Sequence, residues 1–190
     1  MMSRSQQASP EQRIASAVLD LLRSSGPKAV TIEAVATRTG MARTTIYRRF
    51  RDRDEMLTAA MAPITQPRPP GPDAPPTQVL RWVVEQSLSS IEDGIGFGGM
   101  AALVTEDEPW FTELMRSLLV QHRNTLAHVL HQHITSGQIR GDLDVETFLD
   151  CIVGAYFTER ARSGKVESDW IERVIRTLLP AFAQPQTLGA

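Results

Sequence analysis

The chain lacks most of what marks secreted, membrane-spanning or catalytic proteins. It has one cysteine, Cys151, so no internal disulfide framework can form. That fits a reducing compartment, and a cytoplasmic location is expected. No apolar run approaches the roughly 18–20 residues that a membrane span needs, so no membrane partner is expected. The first residues, MMSRSQQASPEQR, contain no apolar stretch of the signal-peptide kind, and no secretory signal is expected. Strand-like alternation and internal repeats are both missing. There is no phosphate-binding glycine loop, no GxSxG and no HExxH, so neither enzymatic activity nor a cofactor is expected.

What is present is a globular composition with lopsided charge. With 190 residues, 42% of them hydrophobic, the chain can bury a real core. The net charge of −2 conceals an asymmetry: residues 1–53 hold ten Lys or Arg against four Asp or Glu, and the remainder ten against eighteen. A basic front and an acidic back imply that only the front meets nucleic acid.

The stretch Thr31–Phe50, TIEAVATRTGMARTTIYRRF, organises the front. Ile32, Val35 and Ala36 form one apolar helical face, and Thr31 stands where a capping oxygen is needed. Gly40 occupies the reversal, where only glycine takes a positive φ at little cost. In the second helix Ile46 and Phe50 share a face, opposite Arg43, Thr44, Tyr47 and Arg48. Two helices about a glycine turn make a helix-turn-helix, whose second helix suits the DNA major groove. An Arg43 fork matches guanine O6 and N7, and the Thr44 methyl can meet a thymine methyl. Tyr47, Arg48, Arg49, Arg51 and Arg53 can donate to phosphates, which position a protein without carrying sequence information. The plainer alternative is a helical hairpin with a solvated basic face; the cap, the turn and the basic cluster together favour DNA.

The run GMARTTIYRRFRDRDEML resembles the signature of the TetR family of bacterial transcriptional regulators, carried here by Gly40, Met41, Ala42, Thr45, Ile46, Tyr47, Phe50 and Arg53. The likeness extends from about Ile14 to about Met61. It implies DNA-facing roles for Thr31, Arg43, Thr44, Thr45, Tyr47, Arg48 and Arg53. Ala42 departs from the family's frequent Ser, so the second helix is expected to lack a side-chain cap. Glu33 favours the dipole of the first helix but would repel phosphate.

Around this stretch the pattern is helical throughout. Ser9-Pro10-Glu11-Gln12 is a capping-box start, and the first helix stops at Gly26-Pro27. Asp52 and Glu55 make a second box for a fourth helix that Pro63 ends. Residues 63–76 carry seven of the twelve prolines and read as a flexible or polyproline-II spacer. Helix resumes from Thr77 and breaks at Gly94, Gly96, Gly98 and Gly99, which either permit close backbone approach or terminate helices. A short helix over 98–105 follows. A long one starts at Pro109 and ends at Gly137, another runs from an Asp144 cap to Ser163, and the last is capped by Ser168 and limited by Pro180.

Segments including QHRNTLAHVL and GQIRGDLDVETFLDCIVGAYFTERARSGK resemble the ligand-binding and dimerisation half of one branch of the same family. The resemblance implies an effector pocket met by Trp82, Phe97, Met100, Trp110, Phe111, Met115, His122 and Tyr156; ordinary core packing is the alternative for each. Among His122, His128, His131 and His133, only His128 and His131 share a face at i, i+3, and no Cys or acidic residue stands at ligand spacing beside them, so no metal is expected. Cys151, flanked by Phe148, Leu149, Ile152 and Val153, reads as a small buried residue. The last two helices carry more apolar surface than one chain covers. A homodimer through Phe148, Ile152, Val174, Ile175, Leu178 and Leu179 is therefore expected, as a four-helix bundle with two-fold symmetry.

The expectation is an all-α protein with a three-helix helix-turn-helix head and a helical-bundle domain. Its parts are a DNA-binding domain with connecting helix over 1–62, a proline-rich linker over 63–76, and an effector-binding and dimerisation domain over 77–190. Its function is that of a sequence-specific repressor released from double-stranded DNA, at a near-palindromic operator, by a small-molecule effector. A non-specific DNA-architectural protein and a small helical metal protein or enzyme are the alternatives.

Overall fold

The structure, a computed structural model, describes residues 9–65 and 68–184, with 64 and 65 described by backbone alone. Residues 66 and 67 of the expected linker, and the ends of the two expected domains, lie outside the described residues. Among those described the architecture is all α, with one isolated bridge between Ile139 and Ala183. The helices are α1 (Pro10–Ser25), α2 (Ile32–Thr39), α3 (Arg43–Tyr47), α4 (Arg53–Thr65), α5 (Pro76–Ser89), α6 (Gly96–Thr105), α7 (Pro109–Thr135), α8 (Val145–Ser163) and α9 (Trp170–Phe182). No helix among the described residues is long and apolar enough to cross a membrane.

Two compact units divide the chain, one from Met1–Thr65 with Ile91–Leu119, the other from Gln66–Ser90 with Val120–Ala190. The boundary differs from a cut at residue 62, because α6 and the first turns of α7 belong with the head. In the first unit α1 begins with the capping box read from the sequence: Ser9 Oγ accepts from the Gln12 amide and Gln12 Oε1 from the Ser9 amide. Thr31 Oγ1 accepts from the Ala34 amide at 3.1 Å, capping α2. Gly40 ends α2 at φ +69°, and α3 starts at Ala42 without a side-chain cap. Ile14, Val18, Leu22, Val35, Ile46, Leu57 and Met61 close one core with Ile95, Phe111, Met115 and Leu118. Each such side chain, taken fully out of water, contributes about 1.5–3 kcal/mol.

The glycine cluster settles both ways. Gly94 sits at a non-helical break in the π-helical turn Ser90–Ile95. Gly96 and Gly98 let α6 approach the end of α1: a Cβ on Gly96 would lie 2.8 Å from Arg23 Cγ, and one on Gly98 would lie 3.3 Å from the Arg23 carbonyl oxygen. Arg23 Nη1 donates to the Asp93 carbonyl at 2.7 Å, fixing the same crossing.

In the second unit α5 packs on α8 and α9. Phe148 stacks on Phe182 at 5.2 Å between centroids, and Tyr156 meets Trp170 edge-on at 5.4 Å. Two prolines expected to end helices do not. α4 continues through Pro63 to Thr65, and α9 continues through Pro180 to Phe182. A proline removes one donor but leaves its own carbonyl and later amides usable; in α9 the Ala183 amide still donates to Leu179, and buried Phe182 anchors the extra turn. The cap position of α9 is Asp169 rather than Ser168, and its carboxylate pairs with Arg173 instead of capping. Of the proline-rich segment, residues 68–75 are pinned rather than free. Trp82 Nε1 donates to the Arg68 carbonyl at 2.8 Å, Gln138 Nε2 to the Pro72 carbonyl at 3.3 Å, and Ala74 is buried. The prolines exclude helix there, and their carbonyls remain as acceptors.

Candidate nucleic-acid interface

Helix α3 turns Ile46 fully into the core of the first unit and the opposite row outward. Arg43, Thr44, Tyr47 and Arg48 are all exposed, and Tyr47 keeps 54% of its surface, a high value for an aromatic ring with no partner to cover it. Thr45 and Thr31 are half-buried, and Thr31 uses its oxygen as the α2 cap. The end of α3 is held by Arg49, whose Nη1 donates to the Thr45 carbonyl at 3.0 Å and whose Nε donates to Glu11 at 2.6 Å. The Arg49 hydrogen bond keeps the Glu11 carboxyl below its usual range. Arg51 pairs with Asp52, which accepts from the Glu55 amide as the cap of α4.

Two features were not legible in the sequence. Glu33 Oε1 lies 3.5 Å from Arg43 Nη1, so the carboxylate at the start of α2 faces the arginine at the start of α3 across the turn. An exposed pair of this kind adds little stability, but it biases where the fork points. The second feature concerns Arg53. It stands half-buried, its guanidinium over the Trp110 ring at 3.7 Å from the centroid, with Nη2 donating to the Pro27 carbonyl. Burial pushes its pKa below an arginine's usual value, against the pull of Glu108 and Asp54.

The residues expected to meet an effector fall in both units. In the first, Phe111 and Met115 are fully buried in the core, while Phe97, Met100 and Trp110 are half-buried. In the second, Tyr156 is buried against Trp170, His122 is buried with Nε2 3.1 Å from the Gln86 carbonyl, and Trp82 is half-buried. The other histidines meet chain groups: His131 Nδ1 lies 2.7 Å from the Ala127 carbonyl, His128 beside Gln132, and His133 beside Gln138.

The expected dimer row also divides. Phe148, Ile152 and Ile175 are buried within the second unit, whereas Val174, Leu178 and Leu179 stay half-exposed. Cys151, expected to be buried, is exposed. Phe148, Leu149 and Ile152 take the inward arc of α8, which leaves Cys151, Gly154, Ala155 and Thr158 on the outward one.

Comparison with known proteins agrees with this arrangement. Residues 14–60 match the family model described as bacterial regulatory proteins, tetR family. The chain is 26% identical, over 93% of its length and 90% of the other, to the uncharacterized HTH-type transcriptional regulator YdeS of Bacillus subtilis (strain 168). In fold it is similar to a TetR transcriptional regulator from Agrobacterium tumefaciens, with TM-score 0.63 and 19% identity over 95% of this chain and 98% of that one. It is also similar to the regulator FadR of Bacillus subtilis in complex with stearoyl-CoA, with TM-score 0.56 and 19% identity over 88% and 96%. The helix-turn-helix head thus matches the tetR family model, and the chain as a whole is similar in fold to solved transcriptional regulators of the TetR family.

Proposed function

We propose that the chain acts as a homodimeric repressor that reads a near-palindromic operator through α3 and is released by a small-molecule effector. The observation that carries this reading is the exposed row Arg43, Thr44, Tyr47 and Arg48 on a helix whose other side is sealed by Ile46. Arg43 and Thr44, in the first turn, reach base edges; Tyr47 and Arg48 reach phosphates. Thr31 keeps its hydroxyl hydrogen free of the cap and donates to phosphate, as does Thr45.

Selection of bound duplexes from a random library tests the reading. It should return one motif with half-sites roughly 34–36 Å apart, or a multiple. Arg43→Ala should relax one base position in each half-site by about 1–3 kcal/mol while leaving non-specific affinity nearly unchanged. Equal losses on selected and random DNA would remove Arg43 from base reading, and a wild type that enriches no motif would leave the architectural alternative standing.

Release by an effector draws support from the fold it shares with a regulator solved with stearoyl-CoA. A true effector must weaken operator binding, and by linkage the operator must weaken effector binding by the same factor. Parallel titrations with and without the selected duplex check this. A ligand whose affinity ignores the duplex is not the effector.

We propose that the partner copy packs on the outward arc of α8 with Val174 and Leu178 of α9. A groove of about 380 Å³ lies there, lined among others by Ala155, Thr158, Val174 and Leu178 and rimmed by Arg162 and Arg173. Small residues let helix backbones approach closely, and the half-exposed apolar residues of α9 gain cover from a second copy.

A further inference from the structure

By its place in the sequence, at the start of α4 just past the recognition helix, Arg53 reads as a phosphate contact. The fold puts it to another use. Its guanidinium lies over the Trp110 ring at 3.7 Å, its Nη2 donates to the Pro27 carbonyl, and its Nε is buried without a hydrogen-bond partner. Trp110 is itself fixed, its Nε1 donating to Glu108 Oε2 at 2.9 Å. Lys28 Nζ lies 3.3 Å from the other oxygen of Glu108. The Trp110 hydrogen bond, with Lys28 beside it, holds the Glu108 carboxyl below its usual range, so the carboxylate stays ionised as both contacts require. Lys28 follows Pro27 in the short 3-10 turn Pro27–Ala29 that leads into α2.

These contacts form a closed ring: the Pro27 carbonyl, Arg53, Trp110, Glu108, Lys28 and back to Pro27. The ring joins the chain just before the helix-turn-helix, the chain just after it, and the first turn of α7. A planar guanidinium stacked on an indole and bonded to a carbonyl is a directional clamp that a lysine cannot reproduce. We infer that Arg53 and Trp110 are positioning residues for DNA recognition: they clamp the two ends of the helix-turn-helix to α7 and so set the attitude of α3, and Arg53 makes no phosphate contact. This rests on the reading of α3 as the recognition helix.

The test is operator binding by the full chain across a salt series, using the duplex selected from the random library. Each phosphate contact contributes about 0.9 to the slope of log affinity against log salt. A clamp contributes nothing to it. Arg53→Gln, Arg53→Lys and Trp110→Leu should each weaken binding about tenfold, with the slope of the wild type. Arg53→Gln combined with Trp110→Leu should be no weaker than either alone, because either change opens the same ring. Where Trp110→Leu loses helical circular dichroism, Trp110→Phe, which keeps a ring but not the Nε1 donor, takes its place. A slope reduced by about one in Arg53→Gln, with Arg53→Lys and the Trp110 variant binding as the wild type, would make Arg53 a phosphate contact and overturn the inference alone. Equal wild-type affinity for selected and random duplexes would overturn the DNA reading and this inference with it.

Discussion

Phe111→Ala is expected to destabilise the first unit by about 3–5 kcal/mol, the range for emptying a packed aromatic site. The side chain is fully buried and belongs to the core shared by α1, α2, α4 and α7. Its ring edge lies where a Cβ on Gly99 would approach to 3.6 Å, and Trp110 meets it edge-on at 5.8 Å. A loss of that size is a large share of the ~5–15 kcal/mol that holds a domain together. Urea denaturation followed by circular dichroism measures it. The result also decides between two readings of the residue. A loss under about 1 kcal/mol would mean that the ring borders open space and remains free to meet an effector. The full loss makes it structural.

The second large effect concerns assembly. Ala155→Glu places a carboxylate on the outward arc of α8, where the protomer itself leaves the residue exposed. The monomer fold should therefore survive, with unchanged circular dichroism. In a two-fold contact the substitution counts twice, setting two carboxylates together in a surface that closes over small residues. Sedimentation should show monomers. Operator affinity should fall by at least roughly 100-fold, because two half-sites no longer bind as one linked event. Ile175→Glu is the contrasting variant. Ile175 is only 7% exposed in the protomer, so a charge there should unfold the second unit rather than separate folded copies. A dimeric Ala155→Glu variant with wild-type operator affinity would move the interface to another surface.

Much of the head was legible because its determinants are local. The Ser9–Gln12 box, the Thr31 cap, the uncapped Ala42 start and the positive φ of Gly40 each depend on a few neighbouring residues, and each is found as read. The outward row of α3 followed from the helical period alone once Ile46 was assigned inward. The errors lie where a local rule meets tertiary contact. Pro63 and Pro180 read locally as stops, yet a helix can continue through proline when later amides keep acceptors and an apolar side chain such as Phe182 anchors the next turn. Residues 63–76 read as a flexible or polyproline-II spacer, and what the composition does not show is that the Arg68 and Pro72 carbonyls accept from Trp82 and Gln138, more than ten residues away.

The sequence by itself determined the all-α class, the helix-turn-helix and the basic character of the residues it presents, because periodicity, caps and charge are properties of short segments. Only the tertiary structure decided how those residues are employed. Arg43 and Arg53 are alike in charge and lie ten positions apart. One is exposed beside Glu33, and the other is half-buried over Trp110. Cys151 and Ile152 are adjacent on α8, yet one faces out and the other into the core. A residue's role follows from the solvent and the partners around its side chain. Those partners come from distant parts of the chain that no local pattern specifies.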